Sequence, residues 1–447
     1  MRQILDITDA RLTVWSDGQR VTQPGVVRFL RDEVIAVGDE AVGDARRHPR
    51  QSSNDHWYRP DTDALPGTSL TRADLVNAQL NQLFANIPKR DELVLVLPSY
   101  LDNNSVSLLL GILSANQLQP VAIVDQAIAA TASRYNEQAL VHIDISFHCA
   151  SVSRFHQTVD QNTLTDARTL DGSGLLAMRE SWIKFFAQKF VQDCRFDPLH
   201  SADTEQALVD QMPQWLKELD KQDSATISMQ HAGQEHVIET TRVDVVNAVA
   251  AHYQRISDMT RAALAGGDTP ALQMCASVAE LPGFAAYLTA RVGGHYFVIV
   301  DDAAVQNLAA LDNAVPAVSG KVQKALPLRG VQVEPPEIAA PVATFAPTHL
   351  VNDGVVVALS DAPLAIGAAG DAASARIITL EGQPPGVSAL HCEIRLEGNQ
   401  CIVNDHSRYG TFLNGNRVSG SASLQAGDVL RVGTPGVEFQ LVREVLL

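Results

Sequence analysis

Two histidines and an aspartate near the middle of the chain have the residue types of a metal site. His142, Asp144 and His148 lie in the segment ALVHIDISFHCASVSRF, residues 139–155, which predicts two strands around a tight turn. Alternating strand positions place the three side chains on one face. A shared face is not a ligand geometry, so we expect hydrogen-bonded or exposed histidines here and no metal site. The sequence also has no HExxH motif, nucleophile elbow or P-loop.

The length and charge of the chain limit the remaining classes of function. A chain of 447 residues predicts two or three domains. Its net charge of −17, without any Lys/Arg run, argues against a nucleic-acid or membrane partner, since both need clustered basic residues. Five scattered cysteines without a CxxC pair indicate reduced thiols. Because the sequence has no signal core and no apolar stretch of about 20 residues, we expect a soluble, cytoplasmic protein.

The elements that would position a site begin with residues 91–133. An apolar run at Leu93–Leu97 has the length of a buried strand, and Pro98 ends it because proline cannot donate to a ladder. Apolar residues at helical spacing follow, then a second apolar strand at residues 120–124 and an alanine-rich helix from Gln126. Strand, helix, strand and helix in this order predict a βαβ unit with a parallel sheet.

This unit resembles the nucleotide-binding fold of actin, the bacterial actin-like proteins and the DnaK-type heat-shock chaperones. The strand VLVLP at residues 94–98 matches the family's VxVP strand, and QAIAATAS at residues 126–133 matches its alanine-bearing hinge helix. Upstream, PGVV at residues 24–27 and VGDEA at residues 37–41 are similar to the chaperones' P-S-V-V and G-x-x-A segments. The resemblance implies a two-lobed α/β ATPase domain over residues 1–320, with ATP and Mg²⁺ as the family's ligands.

The resemblance also places three nucleotide loops in this chain, and each lacks the family's glycines. The first phosphate loop begins at Asp6, the second at Asp144, and the adenosine loop lies within residues 272–288. Glycine lets backbone N–H groups approach a phosphate closely, often at positive φ. The acidic loop residues are Asp6 and Asp144. The positions of the family's glycines are occupied by Thr8, Ser146, Ala276 and Ser277.

A domain with such loops is expected to need no cofactor and to hydrolyse no ATP. Gln126 matches the glutamine that actin places near the attacking water, and Asp6 and Asp144 have the ligand type for a hydrated Mg²⁺. These three residues are therefore degenerate candidates for catalysis. The other interpretation is that they are polar residues lining a cleft of the fold. The pattern leaves weak binding of ATP with Mg²⁺ open.

Composition changes after residue 320. Residues 321–349 include the proline- and alanine-rich stretch LPLRGVQVEPPEIAAPVATFAP, which predicts a semi-extended linker. From residue 350 to residue 447, short strands alternate with turn residues, as in an all-β sandwich. Four motifs follow in order within this segment: IGA, SALH, SRYGTFLNG and LQAGD. They resemble the forkhead-associated (FHA) pattern I-G-R, S-x-x-H, S-x-N-G-T-x-x-N-G and L-x-x-G-D.

FHA domains bind phosphothreonine peptides through loops at one end of the sandwich. The resemblance gives Ser388 the role of phosphate ligand and Asn414 that of peptide clamp. It places Arg408 and Thr411 in the adjacent loop and makes His391 a structural brace. These loops are therefore the expected contact with a protein partner.

One position departs from the FHA pattern. Ala368 stands where the family has its phosphate-binding arginine, which removes a charge-assisted contact of about 1.5–3 kcal/mol. The contact with a partner is then either independent of phosphate or served by another arginine, Arg376 or Arg408.

These features favour an interaction protein. It would be a non-catalytic scaffold or adaptor subunit of a bacterial-type cytosolic hetero-complex, with a pseudo-ATPase platform and an FHA module. The alternative is an actin- or chaperone-like ATPase recruited by a phosphothreonine-containing partner. A phosphopeptide adaptor downstream of a Ser/Thr kinase is a third hypothesis, and Ala368 argues against it.

Overall fold

The structure, a computed structural model, divides into two compact units, residues 1–338 and 339–447. The linker expected over residues 329–346 lies outside the described residues, as do residues 426–427 of the last FHA motif. The structure describes residues 2–88, 92–137, 139–264, 269–311, 321–328, 347–352, 355–360, 362–368, 376–380, 386–397, 400–425 and 428–442.

The first unit contains both strands and helices, whereas the described residues of the second unit form strands. The strands of the first unit are β1 Gln3–Ile7, β2 Leu12–Ser16, β3 Gln19–Gln23, β4 Val27–Leu30, β5 Glu33–Val37, β6 Ser52–Ser53, β7 Leu93–Leu97, β8 Pro120–Asp125, β9 Ala139–Ile145, β10 Cys149–Gln157, β11 Gln161–Asp171, β12 Ser224–His231, β13 Gln234–Thr241, β14 Pro270–Cys275, β15 His295–Ile299, β16 Val322–Gln323 and β17 Ala325–Pro327. Its helices are α1 Asp39–Val42, α2 Arg72–Leu83, α3 Asn103–Ala115, α4 Gln126–Ala130, α5 Leu175–Cys194, α6 Ala202–Lys221, α7 Arg242–Ala263, α8 Ala276–Ala279, α9 Phe284–Val292 and α10 Ala303–Leu311. The strands of the second unit are β18 His349–Asn352, β19 Val355–Ala358, β20 Leu364–Gly367, β21 Arg376–Thr379, β22 Cys392–Glu397, β23 Gln400–Asp405, β24 Thr411–Leu413, β25 Asn416–Arg417, β26 Ser421–Leu424, β27 Val429–Val432 and β28 Val437–Val442.

The second unit contains two sheets with one apolar core. One sheet has the order β19-β18-β28-β27-β24-β25 and the other β21-β20-β22-β23-β26. Apolar residues from both sheets, including Ile366, Val403 and Leu430, are fully buried in one cluster. Except for the parallel pair β20–β21, neighbouring strands are antiparallel, and two such sheets packed face to face give this arrangement. The expected sandwich-like all-β second unit is therefore confirmed.

The two large sheets of the first unit share one topology. In the first sheet, β1, β2 and β3 are antiparallel neighbours, while β7 and then β8 continue the other side of β1 in parallel. In the second sheet, β9, β10 and β11 are antiparallel, while β14 and β15 continue the other side of β9 in parallel. Parallel neighbours need crossover connections, and helices supply them in both halves. The first unit is thus an α/β structure with a repeated topology, and β7, α3 and β8 form the predicted βαβ unit.

Each half carries an insertion at the same place, between its third and fourth strands. In the first half the insertion contains the small sheet β5-β4-β6 and the helices α1 and α2. In the second half it contains the long helices α5, α6 and α7 with the hairpin β12–β13. Trp182, Phe186 and Phe190 recur at helical spacing on α5 and are buried against α6 and α7. These apolar rows explain why this part of the chain folds as long helices.

A short segment near residue 325 joins both sheets. Val322–Gln323 adds a parallel strand to β8, and Ala325–Pro327 adds an antiparallel strand to β11. Leu326 is 2% exposed and packs in the core under β11 and α4. Residues 321–328 were expected to belong to the linker, and this expectation is corrected. Local composition hid the strands because their partners lie more than 150 residues earlier in the chain.

Replacing Leu326 tests this packing. Leu326→Ala is expected to lower the free energy of unfolding by about 2–5 kcal/mol, because it removes a buried side chain and leaves a cavity. The exposed Lys321 is the control, and Lys321→Ala should change stability by less than about 0.5 kcal/mol. Urea denaturation of both variants measures the difference. Equal stabilities would show that the segment is not part of the core.

Candidate functional site

The two halves of the first unit contact each other through their first hairpin turns. The turn between β1 and β2 presents Asp9, and the turn between β9 and β10 presents Phe147 and His148. The Asp9 carboxylate accepts hydrogen bonds from Phe147 N at 2.9 Å, His148 N at 3.1 Å and His148 Nδ1 at 2.6 Å. Asp9 is fully buried. Successive backbone N–H groups in a turn form a concave anion site, and here the anion is a side chain of the same chain.

The backbone of Asp9 also forms hydrogen bonds, through both its N–H group and its carbonyl. Its N–H lies 3.0 Å from Tyr100 Oη, and its carbonyl accepts from Gly25 N at 3.2 Å. A Cβ on Gly25 would lie 2.2 Å from the Asp9 carbonyl oxygen, so only glycine fits this approach. The turn of the first half is therefore fixed on both sides.

The turn of the second half is anchored in the first half by two side chains. Phe147 is buried among Val26, Ala36 and Ala41, which belong to the first half's insertion. The His148 ring stacks on Tyr58 with centroids 4.8 Å apart and an interplanar angle of 14°. Its Nε2 lies 3.2 Å from Asn54 Oδ1. Apolar burial and ring stacking thus join the two halves at the same turn.

The two insertions also contact each other directly. Arg46 N donates to Gln206 Oε1 at 2.9 Å, and the Arg46 guanidinium pairs with Glu180 on α5 and Glu205 on α6. Arg47 Nε lies 2.7 Å from Asp203 Oδ1. The ion pairs are partly exposed and contribute little individually. Together with the buried Gln206 side chain, they close the first half's insertion onto the helices of the second half.

The residues expected in the two phosphate loops close their own turns. Thr8 Oγ1 donates to the Arg11 carbonyl at 2.9 Å, and Ser146 N donates to the Cys149 carbonyl at 2.9 Å. Burial raises the pKa of Asp6 to about 6, with the positive charge of Arg11 opposing this effect. Burial likewise raises the pKa of Asp144. Asp6 and Asp144 act on each other electrostatically and share the Arg11 charge, so the structure does bring them together.

The remaining predicted residues of the first unit lie at helix starts. Ala276 begins the four-residue helix α8, and Ser277 N donates to Asp301 Oδ1 at 2.9 Å. Gln126 is buried at the start of α4, whose N-terminus is capped by the Asp125 carboxylate. Both positions therefore serve the local helix geometry.

In the β9–β10 hairpin, the side chains of His142, Asp144 and His148 do not meet at one site. His142 Nδ1 lies 2.9 Å from Gln273 Oε1, whereas His148 is held by Asp9. Burial lowers the pKa of His142, because a charged ring would be desolvated. Within the described ranges, no three His, Cys, Asp or Glu side chains are grouped so that they could hold a metal ion.

In the second unit, a histidine braces the loops at one end of the sandwich. Ser388 N donates to His391 Nδ1 at 3.0 Å, and His391 Nε2 lies 3.1 Å from the Gly410 carbonyl. Arg408 N donates to Ser388 Oγ at 3.1 Å. His391 is buried, and burial lowers its pKa, which favours the neutral ring with one donor and one acceptor. The geometry agrees with the bracing role expected for His391, and it holds Ser388 and Arg408 side by side.

Two of the predicted partner-binding residues form hydrogen bonds within the second unit. Thr411 is fully buried, and its Oγ1 donates to Asp405 Oδ1 at 2.8 Å. Asn414 Nδ2 donates to Asp428 Oδ1 at 2.8 Å, and Asn414 Oδ1 accepts from Val429 N at 3.0 Å. Asn414 also has a φ of 50° in the two-residue turn between β24 and β25. These bonds hold Asn414 in the hairpin turn, and its role as a peptide clamp stays a prediction.

Sequence reasoning missed an exposed aromatic residue beside Arg408. Tyr409 is 52% exposed at the tip of the loop. The signal was present, since Tyr409 aligns with the asparagine of the S-x-N-G-T pattern. Ala368 N donates to the Ser388 carbonyl at 3.0 Å, so the lost arginine position does adjoin this loop. Arg376 donates to Ser360 Oγ at 2.6 Å and also to the Ala358 carbonyl, which commits its guanidinium elsewhere.

The raised pKa of Asp6 predicts a pH effect on stability. Its pKa is about 6 in the folded protein and 3.8 ordinarily, so the folded chain binds the extra proton between these values. Stability should therefore fall as pH rises from about 4 to about 6. Asp6→Asn cannot ionise and should gain up to about 3 kcal/mol relative to the native chain over this range.

Denaturation of both proteins at several pH values measures the gain. Asp63→Asn, at an exposed loop position, is the matched control and should follow the native chain. A difference between Asp6→Asn and the native chain that does not change with pH would contradict the prediction.

Comparisons with known proteins find a family match in the second unit and none in the first. The FHA domain family model matches residues 366–433. No curated protein matches the chain. The actin and DnaK resemblance of the first unit therefore remains a prediction. Among the described residues, no helix is both long enough and apolar enough to cross a membrane. The braced loops and the two-sheet core thus belong to the segment that is similar to an FHA domain, residues 366–433.

Proposed function

We propose that the chain is a non-catalytic scaffold or adaptor subunit of a cytosolic protein assembly. In this proposal the first unit is a pseudo-ATPase related to actin and the DnaK-type chaperones, and it serves as a rigid platform. The FHA domain docks a protein partner. Two binding surfaces on one chain raise the effective concentration of one partner near the other.

The repeated topology supports the relationship proposed for the first unit. Both halves have three antiparallel strands followed by parallel strands, and both carry an insertion after the third strand. The segments that carry the resemblance are the buried strand Leu93–Leu97 and the short helix Gln126–Ala130. Because a fold alone does not determine a function, the proposal depends on the contact between the β1–β2 turn and the β9–β10 turn.

The contact of Asp9 with the second turn is the observation that carries the proposal. A phosphate held by this turn would need the N–H groups of Phe147 and His148, and the Asp9 carboxylate already accepts both. Hydrogen bonds to a charged group contribute about 1.5–3 kcal/mol each. A phosphate would have to displace them and move Phe147 out of its apolar cluster. ATP and its Mg²⁺ therefore do not fit this turn as it is folded.

Calorimetry with ATP or ADP and Mg²⁺ tests the absence of nucleotide binding. No heat is expected at protein concentrations near ~100 μM, which corresponds to a Kd beyond about 1 mM. Micromolar binding would contradict the proposal and favour the alternative, an ATPase recruited by a phosphothreonine-containing partner. A turnover assay with Asp144→Ala and Gln126→Ala would then follow.

Removing the Asp9 carboxylate should expose the anion site of the second turn. Asp9→Ala leaves three donors unpaired, so this variant is expected to be less stable but to gain stability with inorganic phosphate or sulfate. The native chain and Asp63→Ala, an exposed control, should show no such gain. Thermal unfolding with increasing phosphate measures it. Asp9→Asn retains an acceptor and replaces Asp9→Ala if that variant does not fold.

The docking role of the FHA loops needs a separate measurement. Full-length protein should recover a partner from a lysate of the source cells, and Tyr409→Glu should lose it because the exposed ring is replaced by a charge. Recovery that is unaffected by this change would contradict docking through these loops.

A further inference from the structure

The second unit has few basic side chains, and most of them are already engaged. It contains no lysine, and its described arginines number five. Arg376 donates to Ser360, Arg395 pairs with Glu393, and Arg431 donates to the Gly433 carbonyl at 2.7 Å. Of the five described arginines, two have side chains without a hydrogen-bond or ion-pair partner among the described residues. These are Arg408 and Arg417.

Both of these arginines lie at the same loop. Arg408 precedes Tyr409 and is exposed, and its own N–H ties the loop to Ser388. Arg417 is exposed on β25, and its Nε lies 2.9 Å from the position that a Cβ on Gly410 would occupy. Gly410 has a φ of 94° and leaves the space that the Arg417 side chain fills. The loop-end patch, defined as Ser388, Arg408, Tyr409 and Arg417, thus combines two guanidinium groups, an exposed ring and a hydroxyl.

The chemistry of this patch differs from that of a phosphate site. A phosphate needs several donors around one group, and the arginine that would adjoin Ser388 is replaced by Ala368. The Ser388 Oγ already accepts from Arg408 N, which leaves its O–H as a donor. Each of the two guanidinium groups can bind a carboxylate in a planar, bidentate geometry. The Tyr409 ring supplies the aromatic contact typical of an interface anchor.

We infer that the loop-end patch binds an unphosphorylated acidic segment of a partner protein, with its carboxylates on Arg408 and Arg417. This inference rests on the proposed docking function and specifies the partner's chemistry. The net charge of −17 on the whole chain makes the patch a local exception, so an acidic segment is attracted here and repelled elsewhere.

Binding of short synthetic peptides to the full-length protein tests the inference. Fluorescence anisotropy compares a glutamate-rich peptide, its glutamine-rich counterpart and a phosphothreonine peptide with neutral flanks. The glutamate-rich peptide is expected to bind best, and its affinity should fall as salt is raised. Arg408→Gln and Arg417→Gln should each weaken it by roughly two- to fivefold, the range of a partly exposed ion pair. Arg395→Gln makes the same charge change away from the patch and should have no effect.

A gain-of-function variant tests whether residue 368 lies beside the phosphate of a bound phosphothreonine peptide. Ala368→Arg restores the lost guanidinium beside Ser388 and should raise the affinity for the phosphothreonine peptide by about tenfold or more. Failure to gain this affinity would show that position 368 does not face the bound peptide and would overturn the assignment of the patch.

Other outcomes would also overturn the inference. These are tighter binding of the phosphothreonine peptide by the native chain, equal binding of the glutamate- and glutamine-rich peptides, or no binding of either. Concentration-dependent self-association lost in the Arg408→Gln/Arg417→Gln variant would assign the patch to a second copy instead. If the peptides fail while Tyr409→Glu still loses the partner from a lysate, the acidic partner is wrong and the docking function stands.

Discussion

A buried carboxylate held by the backbone of a distant turn is the contact on which the first unit depends. Asp9 and His148 are 139 residues apart, yet Asp9 accepts three hydrogen bonds from the turn that contains Phe147 and His148. A buried charge is tolerated only when its hydrogen bonds are complete, and here they are supplied by N–H groups that a turn leaves unpaired. The same contact decides the orientation of Phe147 and therefore the closure of one half on the other.

Several other contacts also hold the two halves of the first unit together. Arg46 and Gln206 join the two insertions, and the segment 322–327 pairs with both large sheets. Each contact is modest by itself, but contacts at three separate places leave little freedom for the halves to move apart. The two halves are thus held together by side chains and strands of the chain itself.

The second unit places its exposed groups by an internal scaffold of hydrogen bonds. His391 connects Ser388 to the Gly410 carbonyl, and Gly367 approaches Ala389 so closely that a Cβ would lie 1.9 Å from its carbonyl oxygen. These constraints are independent of the residue types that face a partner. The loops can therefore keep their geometry although Ala368 and Tyr409 depart from the FHA pattern.

Local sequence determined the secondary structure and the identity of the second unit. Apolar spacing is a local property, so it predicted the strand Leu93–Leu97 and the helix after it, and the FHA motifs could be recognised because each is a short run of residues. Only the tertiary structure paired Asp9 with the second turn, gave residues 322–327 their strand partners, and turned Asn414 inward. Those contacts join residues far apart in the chain or depend on where a side chain points, and neither is encoded in local periodicity.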